Sequence, residues 1–246
     1  MTDMTYRTNG TDTIDVTDKT GLERTIAEVL ARVQPVSHSA YRQHVWQSEV
    51  RPALRRWGIQ ERHLAPLDDF GHARQARAFE AVCDHMKGVG AIVALIGIRG
   101  CGKTTIAAQF ARRLAWRNHE YAQRPGMPNV CCRYLKASDL VGRFKSLYAD
   151  FGSVDGERLM ESRAFFCQEL EYLVIDELHE VADQKLAARL IPDLLDRRYA
   201  AKRDTLLISN QTPEDFQASM SDSVLSRLQE HGMIIPCNWE SWRGRR

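Results

Sequence analysis

A chain of 246 residues, 43% apolar and 27% charged, can bury one sizeable core, and its net charge of +2 excludes a uniformly basic surface. No apolar run approaches 18 residues and no apolar signal-peptide core opens the chain, so a membrane span is not expected and the expected location is cytoplasmic. The six cysteines (Cys83, Cys101, Cys131, Cys132, Cys167 and Cys237) form no C-x-x-C pair, which argues against structural zinc and for reduced core thiols.

Residues 1–20 hold seven Thr and four Asp with almost no large apolar side chain, which predicts a disordered tail. Leu22, Ile26, Val29, Leu30 and Val33 then mark an amphipathic helix that ends near Pro35. Residues 40–64 mix Tyr41, Trp46 and Trp57 with Arg42, Arg51, Arg55, Arg56 and Arg62. Such a mixture suits a DNA or protein partner, or a linker whose Trp residues dock on a core. A helix over 71–88 leads into the apolar strand 91–96, the glycine loop 97–104 and a helix from Thr105 to Trp116. Gly126–Pro128 is a turn, and Val130, Cys132 and Tyr134 alternate as in a strand. Residues 138–150 are helical, with Leu140, Phe144 and Leu147 on one side. A loop over Gly152–Gly156 and a helix over 158–169 precede the strand 172–175. Residues 184–202 read as a helix that Pro192 kinks or restarts. Strands follow at 205–208 and 233–235. Strands alternating with helices predict an α/β fold, a parallel sheet sandwiched by helices.

Gly97-Ile98-Arg99-Gly100-Cys101-Gly102-Lys103-Thr104 fits G-x-x-x-x-G-K-[ST] between a strand and a helix. Gly97, Gly100 and Gly102 let backbone N–H groups curl around phosphate oxygens, with the N–H groups of Cys101 and Thr105 in the same cradle. The helix N-terminus adds partial positive charge. Lys103 is expected on the β- and γ-phosphates of ATP and Thr104 on Mg²⁺. Cys101 sits where a helix N-terminus lowers a thiol pKa, so its modification is expected to block the nucleotide. The strand 172–175 delivers Asp176 and Glu177 to the carboxyl edge of the sheet, where ligands bind in open α/β folds. Asp176 suits the Mg²⁺ shell, and Glu177 suits orienting and deprotonating a water. Asn210, at the end of the next strand, can bond the γ-phosphate or that water.

Phosphate loop, Asp-Glu strand and Asn-ended strand, in this order, resemble the AAA+ ATPases. The chain is similar, more narrowly, to the DnaC-type loaders of replicative helicases. The similar strings are Trp57–Arg62 with Asp69-Phe70, Ala137–Leu140 through Lys145, Asp196-Arg197-Arg198-Tyr199, Val224–Leu228, and Asn238-Trp239-Glu240-Ser241-Trp242-Arg243. This resemblance implies a P-loop NTPase (AAA+) domain over 67–246, while the little sequence after the last strand departs from the family in leaving no separate helical lid expected. It also implies a small helical partner-binding region over 21–66. The activity implied is ATP-driven loading of a hexameric replicative helicase onto single-stranded DNA by a self-associated oligomer. Arg227 is implied as an arginine finger acting on a neighbour's ATP, and Arg243 as a sensor near the γ-phosphate. The segment 138–150 is implied to face single-stranded DNA, with Arg143 and Lys145 supplying charge and Phe144 or Tyr148 a stacking ring. The same segment also reads as an ordinary amphipathic helix with Phe144 in the core. The alternative activity is that of an IstB-like transposition helper acting on duplex DNA. Residues 1–50 match no family string, so the helicase contact is implied by analogy.

Overall fold

The computed structural model describes residues 6–7, 13–14, 37–64, 70, 73–122, 130–149 and 155–240. The chain divides into two compact units, Met1–His44 and Val45–Arg246. In the first, β1 (Tyr6–Arg7) pairs antiparallel with β2 (Thr13–Ile14), inside the segment expected to be a disordered tail. The rest of that tail and the helix expected over 22–33 lie outside the described residues. Helix α1 (His38–Val45) runs up to the unit boundary.

The second unit begins with a π-helical turn, Trp46–Val50, that continues into α2 (Arg51–Arg56). Val50, Leu54, Trp57, Ile59 and Leu64 are all buried in one cluster with the helices that follow. The split between compact units falls at 44/45, and residues 45–64, expected in the partner-binding region, pack with the second unit. Residues 45–64 carry enough apolar side chains to join the main core, and Trp57 takes the docking alternative of its two readings.

Helix α3 (Ala73–His85) buries Gln75, Ala78 and Val82 on one face. Then come β3 (Ile92–Ile96), α4 (Lys103–Ala122), β4 (Cys132–Lys136) and α5 (Ala137–Ala149). Helix α6 (Asp155–Ala164) ends in a second π-helical turn, Phe165–Glu169. Gly156 is helical rather than part of a loop. Burial of Leu159 one turn on offsets the poor propensity of glycine. Strand β5 (Tyr172–Asp176), α7 (Gln184–Ala200), β6 (Asp204–Ser209), α8 (Pro213–Ser219), α9 (Asp222–His231) and β7 (Met233–Pro236) complete the described unit. The turn expected at Gly126–Pro128 lies outside the described residues.

Helix α7 continues through Pro192 as one helix and does not restart there. Proline removes a single N–H from the ladder, and Leu190, Ile191, Leu194 and Leu195, buried on either side, anchor both halves to the same core. The short α8 and α9 are capped by Thr212 and Ser221, whose hydroxyls accept from Asp215 N and Val224 N.

The five long strands form a parallel sheet in the order β4-β5-β6-β3-β7. Alternate residues of β3 feed opposite cores. Val93 and Leu95 meet Ile106, Phe110 and Leu114 of α4. Ile92, Ala94 and Ile96 belong with Leu140 and Phe144 of α5, Leu194 of α7 and Val224 of α9. Both faces are covered, which is why the strands read as unbroken apolar runs. At the amino edge, Asp204 accepts from the N–H groups of Gly88, Val89, Gly90 and Ala91 at 2.6–3.1 Å, fixing the chain's entry into β3. Buried Arg198 donates to the carbonyls of Phe166, Leu170, Glu171 and Asp204 and to Thr205, tying α7 to the turns before β5 and β6. Among the described residues, no helix is long and apolar enough to cross a membrane.

Candidate nucleotide-binding site

The carboxyl ends of β3, β5 and β6 open into a cavity of about 480 Å³. Gly100, Gly102, Lys103, Thr104, Thr105, Asp176, Glu177 and Asn210 all line it. Three segments far apart in sequence thus meet at one edge because the sheet places β3 beside β6 and β6 beside β5.

The loop is built around glycine for a steric reason. Gly97 has φ +148°, and a Cβ there would lie 2.4 Å from the carbonyl oxygen of Cys237. Gly102 has φ +88°, and its Cβ would meet Nε2 of Gln75 at 2.2 Å. Lys103, only 5% exposed, donates from Nζ to the carbonyls of Gly97 and Ile98 at 2.6 and 2.7 Å. Buried Cys101 donates to Ile98 O at 3.1 Å. A hydrogen bond with the Cys237 thiol, and after it the nearby Lys103 ammonium, lower the Cys101 thiol pKa below the ordinary thiol value.

Asp176, 5% exposed, is the hub of the site. Its Oδ2 accepts from Thr104 Oγ1 at 2.8 Å and from Tyr134 OH at 2.7 Å, and its Oδ1 accepts from the Glu177 N–H at 2.7 Å. Burial, then the Asp176 charge, push the Tyr134 phenol up, so it stays a donor. A hydroxyl and a carboxylate in contact are the hard oxygen donors that Mg²⁺ takes, so these residues fit that ion. Among the described residues no group of three or more His, Cys, Asp or Glu could hold a metal by itself.

Glu177 leaves the strand at φ +57°, a left-handed backbone that non-glycine residues adopt at a cost of about 1–2 kcal/mol. Its carboxylate pairs with Lys136 Nζ at 2.8 Å and raises the pKa of that lysine. Lys136 ends β4 in register with Asp176. Asn210 Nδ2 lies 3.4 Å from Nε2 of His179, which in turn pairs with Glu180 at 3.2 Å. Arg99 also pairs with Glu180.

Other predicted residues are not part of this cavity among the described residues. Arg227 does not line the cavity; it sits on α9, paired with Asp196 and over the ring of Tyr199. Arg243 lies outside the described residues. Arg143 and Lys145 are exposed on α5, Lys145 pairing with Asp183 at 2.9 Å and Arg143 lying 5.6 Å over the Phe166 ring. Phe144 is 1% exposed, with its ring 6.1 Å from that of Phe166. A base cannot stack on a side chain closed in the core, so the DNA-contact expectation for Phe144 gives way to its core alternative. The side chain of Tyr148 is outside the described residues.

The cavity also contains residues that were not expected in the site: Arg62 and Phe70, from the family-like strings, and His63 and Gln75. Burial, and after it the neighbouring Arg62 charge, lower the His63 pKa, against a smaller opposing pull from Asp176. Gln75 carried a legible signal. It is a polar residue on the buried face of α3, in step with Ala78 and Val82, and its Nε2 donates to Gly102 O at 3.4 Å.

A family model described as AAA domain (dynein-related subfamily) matches residues 92–229. The chain is 23% identical over 150 residues to the replicative helicase loader DnaC of Escherichia coli K12, covering 61% of this chain and 55% of that one. It thus spans about half the length of that relative. It is similar in structure to AMPPCP-bound DnaA from Aquifex aeolicus, with a TM-score of 0.51, 16% identity, and coverage of 73% of this chain and 51% of that one. A replication initiator DnaA bound to AMPPCP and single-stranded DNA gives a TM-score of 0.53 at 14% identity, covering 74% of this chain and 52% of that one. These structural likenesses bear out the expected fold, and the relative bears out the expected resemblance to DnaC-type loaders.

Proposed function

The chain belongs to the AAA domain family, and from that premise we propose that it is an ATPase that loads a hexameric replicative helicase onto single-stranded DNA. The observation that carries the ATPase reading is the Thr104–Asp176 hydrogen bond, which joins the phosphate loop to the acidic strand inside one cavity. ATP would lie with its phosphates on the amides of 97–105. Lys103 would exchange its two loop carbonyls for β- and γ-phosphate oxygens. Thr104 and Asp176 would hold Mg²⁺, which neutralises charge on those oxygens when bound. Glu177, turned off the strand by its left-handed backbone, would orient the attacking water and take its proton. To do so it must leave Lys136. Asn210 would bond the γ-phosphate or the water, and Arg227 would act on the ATP of a neighbouring subunit in a self-associated assembly.

The loader half of the reading is supported by the similarity to a replicative helicase loader and by the similar strings from Trp57 to Arg243. Arg143 and Lys145, exposed on α5, supply the charge for single-stranded DNA. The test is mass photometry of the full chain with its host's replicative helicase and ATP. The expected result is a discrete co-complex that is lost when residues 1–44, the first compact unit, are deleted. No complex under any nucleotide condition, together with filaments on duplex DNA, would replace the loader with a transposition helper.

A further inference from the structure

Arg227 makes its contacts with one edge of its fork. Nη1 donates to the Asp196 carboxylate and to Ser223 Oγ, and to Ser223 O at 3.1 Å. Ser223 Oγ donates in turn to both Asp196 oxygens at 3.2 Å, so aspartate, serine and arginine close a small ring of bonds. The guanidinium carbon stands 5.1 Å over the Tyr199 ring, and Tyr199 is itself fixed by donating from its OH to Glu230 at 2.7 Å. Nε is buried and has no hydrogen-bond partner among the described residues. Nη2 makes no hydrogen bond or ion pair among them either. The side chain is 24% exposed. An arginine free to choose would pair its Nε–H with water or a carboxylate. This one is held in an orientation that satisfies Nη1 and the ring face and leaves Nη2 without a hydrogen bond among the described residues.

A planar fork anchored along one edge and lying on a ring loses both its translation and its rotation. We propose that Asp196 is a positioning residue for Arg227, which it aims with the Tyr199 ring so that Nη2 meets the nucleotide of a neighbouring copy of this chain. The inference rests on the reading of Arg227 as a trans-acting finger. It also gives the Asp196-Arg197-Arg198-Tyr199 string a physical content. On one face of α7, Asp196 and Tyr199 hold Arg227. On the other, Arg198 bonds the sheet.

The experiment is a double-mutant cycle in the full chain, reading ATP turnover at a protein concentration where it self-associates, ATP affinity, and ¹⁵N relaxation of the Arg227 Nε–H. Asp196→Ala is expected to lower kcat by roughly 10- to 100-fold, the loss that misplacement of a reacting group produces. Its ATP Kd should stay within about twofold of wild type. The Arg227 Nε–H should change from rigid to mobile. Adding Asp196→Ala to Arg227→Ala should cost nothing further, and Asp196→Glu should recover part of kcat. Three results would each overturn the proposal: wild-type or raised turnover in Asp196→Ala, a double variant as much worse than Arg227→Ala as Asp196→Ala is than wild type, or an Nε–H that stays rigid. Full turnover in Arg227→Ala would instead remove the finger reading, and this inference with it.

Discussion

Replacing Gly97 with alanine tests whether the phosphate loop is held by contact with the chain end of the sheet. The new Cβ would lie 2.4 Å from the carbonyl oxygen of Cys237, 2.9 Å from its carbonyl carbon and 3.3 Å from its Cα. All three are backbone atoms, so no side chain can swing away. The φ of +148° adds strain of about 1–3 kcal/mol for a residue with a Cβ. Pushing the Cys237 backbone outward also breaks its N–H bond to Ile96 O, now 2.6 Å long, worth about 1 kcal/mol. The sum, about 2–4 kcal/mol, corresponds to a fall in Tm of roughly 5–15 °C for a domain of this size. Displacing the loop amides should weaken ATP binding at least tenfold, or about 1.4 kcal/mol. Thermal unfolding by circular dichroism and titration with a fluorescent ATP analogue measure both. Gly142→Ala is the control. It lies in helix α5 with nothing within 4 Å of its Cβ position and should raise stability by about 0.5–1 kcal/mol. If Gly97→Ala melts and binds like the wild type, the contact with Cys237 does not shape the loop.

Phe144→Ala empties a core site and should destabilise by about 3–5 kcal/mol in urea denaturation; a variant of normal stability that lost only DNA binding would return Phe144 to the surface. Arg143→Ala and Lys145→Ala should each weaken single-stranded DNA binding evenly across sequences and lower the salt slope by about 1 in fluorescence anisotropy; an unchanged slope removes that residue from the contact. Cys101 should react with iodoacetamide through its thiolate whenever the loop opens. Because the Cys237 thiol and the Lys103 ammonium lower the Cys101 thiol pKa, its rate should level off at a lower pH than that of an ordinary thiol. Bound ATP should suppress this labelling, and equal rates with and without ATP would refute the link between Cys101 and the nucleotide.

The sheet was legible because its strands are buried on both faces, leaving apolar runs at 91–96, 172–175 and 205–208 that no helix pattern explains. The phosphate loop was legible because only glycine fits beside Cys237 and Gln75. Continuity of α7 was not, since the rule that proline breaks helices carries no information about the buried leucines on either side of Pro192. Phe144 was ambiguous because an aromatic on an amphipathic helix serves a core or a base equally well. Arg62 and His63 reach the cavity through tertiary packing of residues 45–64 on the core, and Phe70 sits there against the Phe79 ring, none of which local sequence encodes. The Asp196–Arg227 pair joins residues 31 apart on two helices, and only the fold brings them together.

The most direct test of the ATP site is calorimetric titration of wild type, Lys103→Ala and Glu177→Gln with ATP and Mg²⁺, paired with phosphate release. Wild type and Glu177→Gln should bind alike, Lys103→Ala should not bind, and only wild type should release phosphate. Binding by Lys103→Ala at wild-type strength would contradict the assignment of this cavity to the nucleotide.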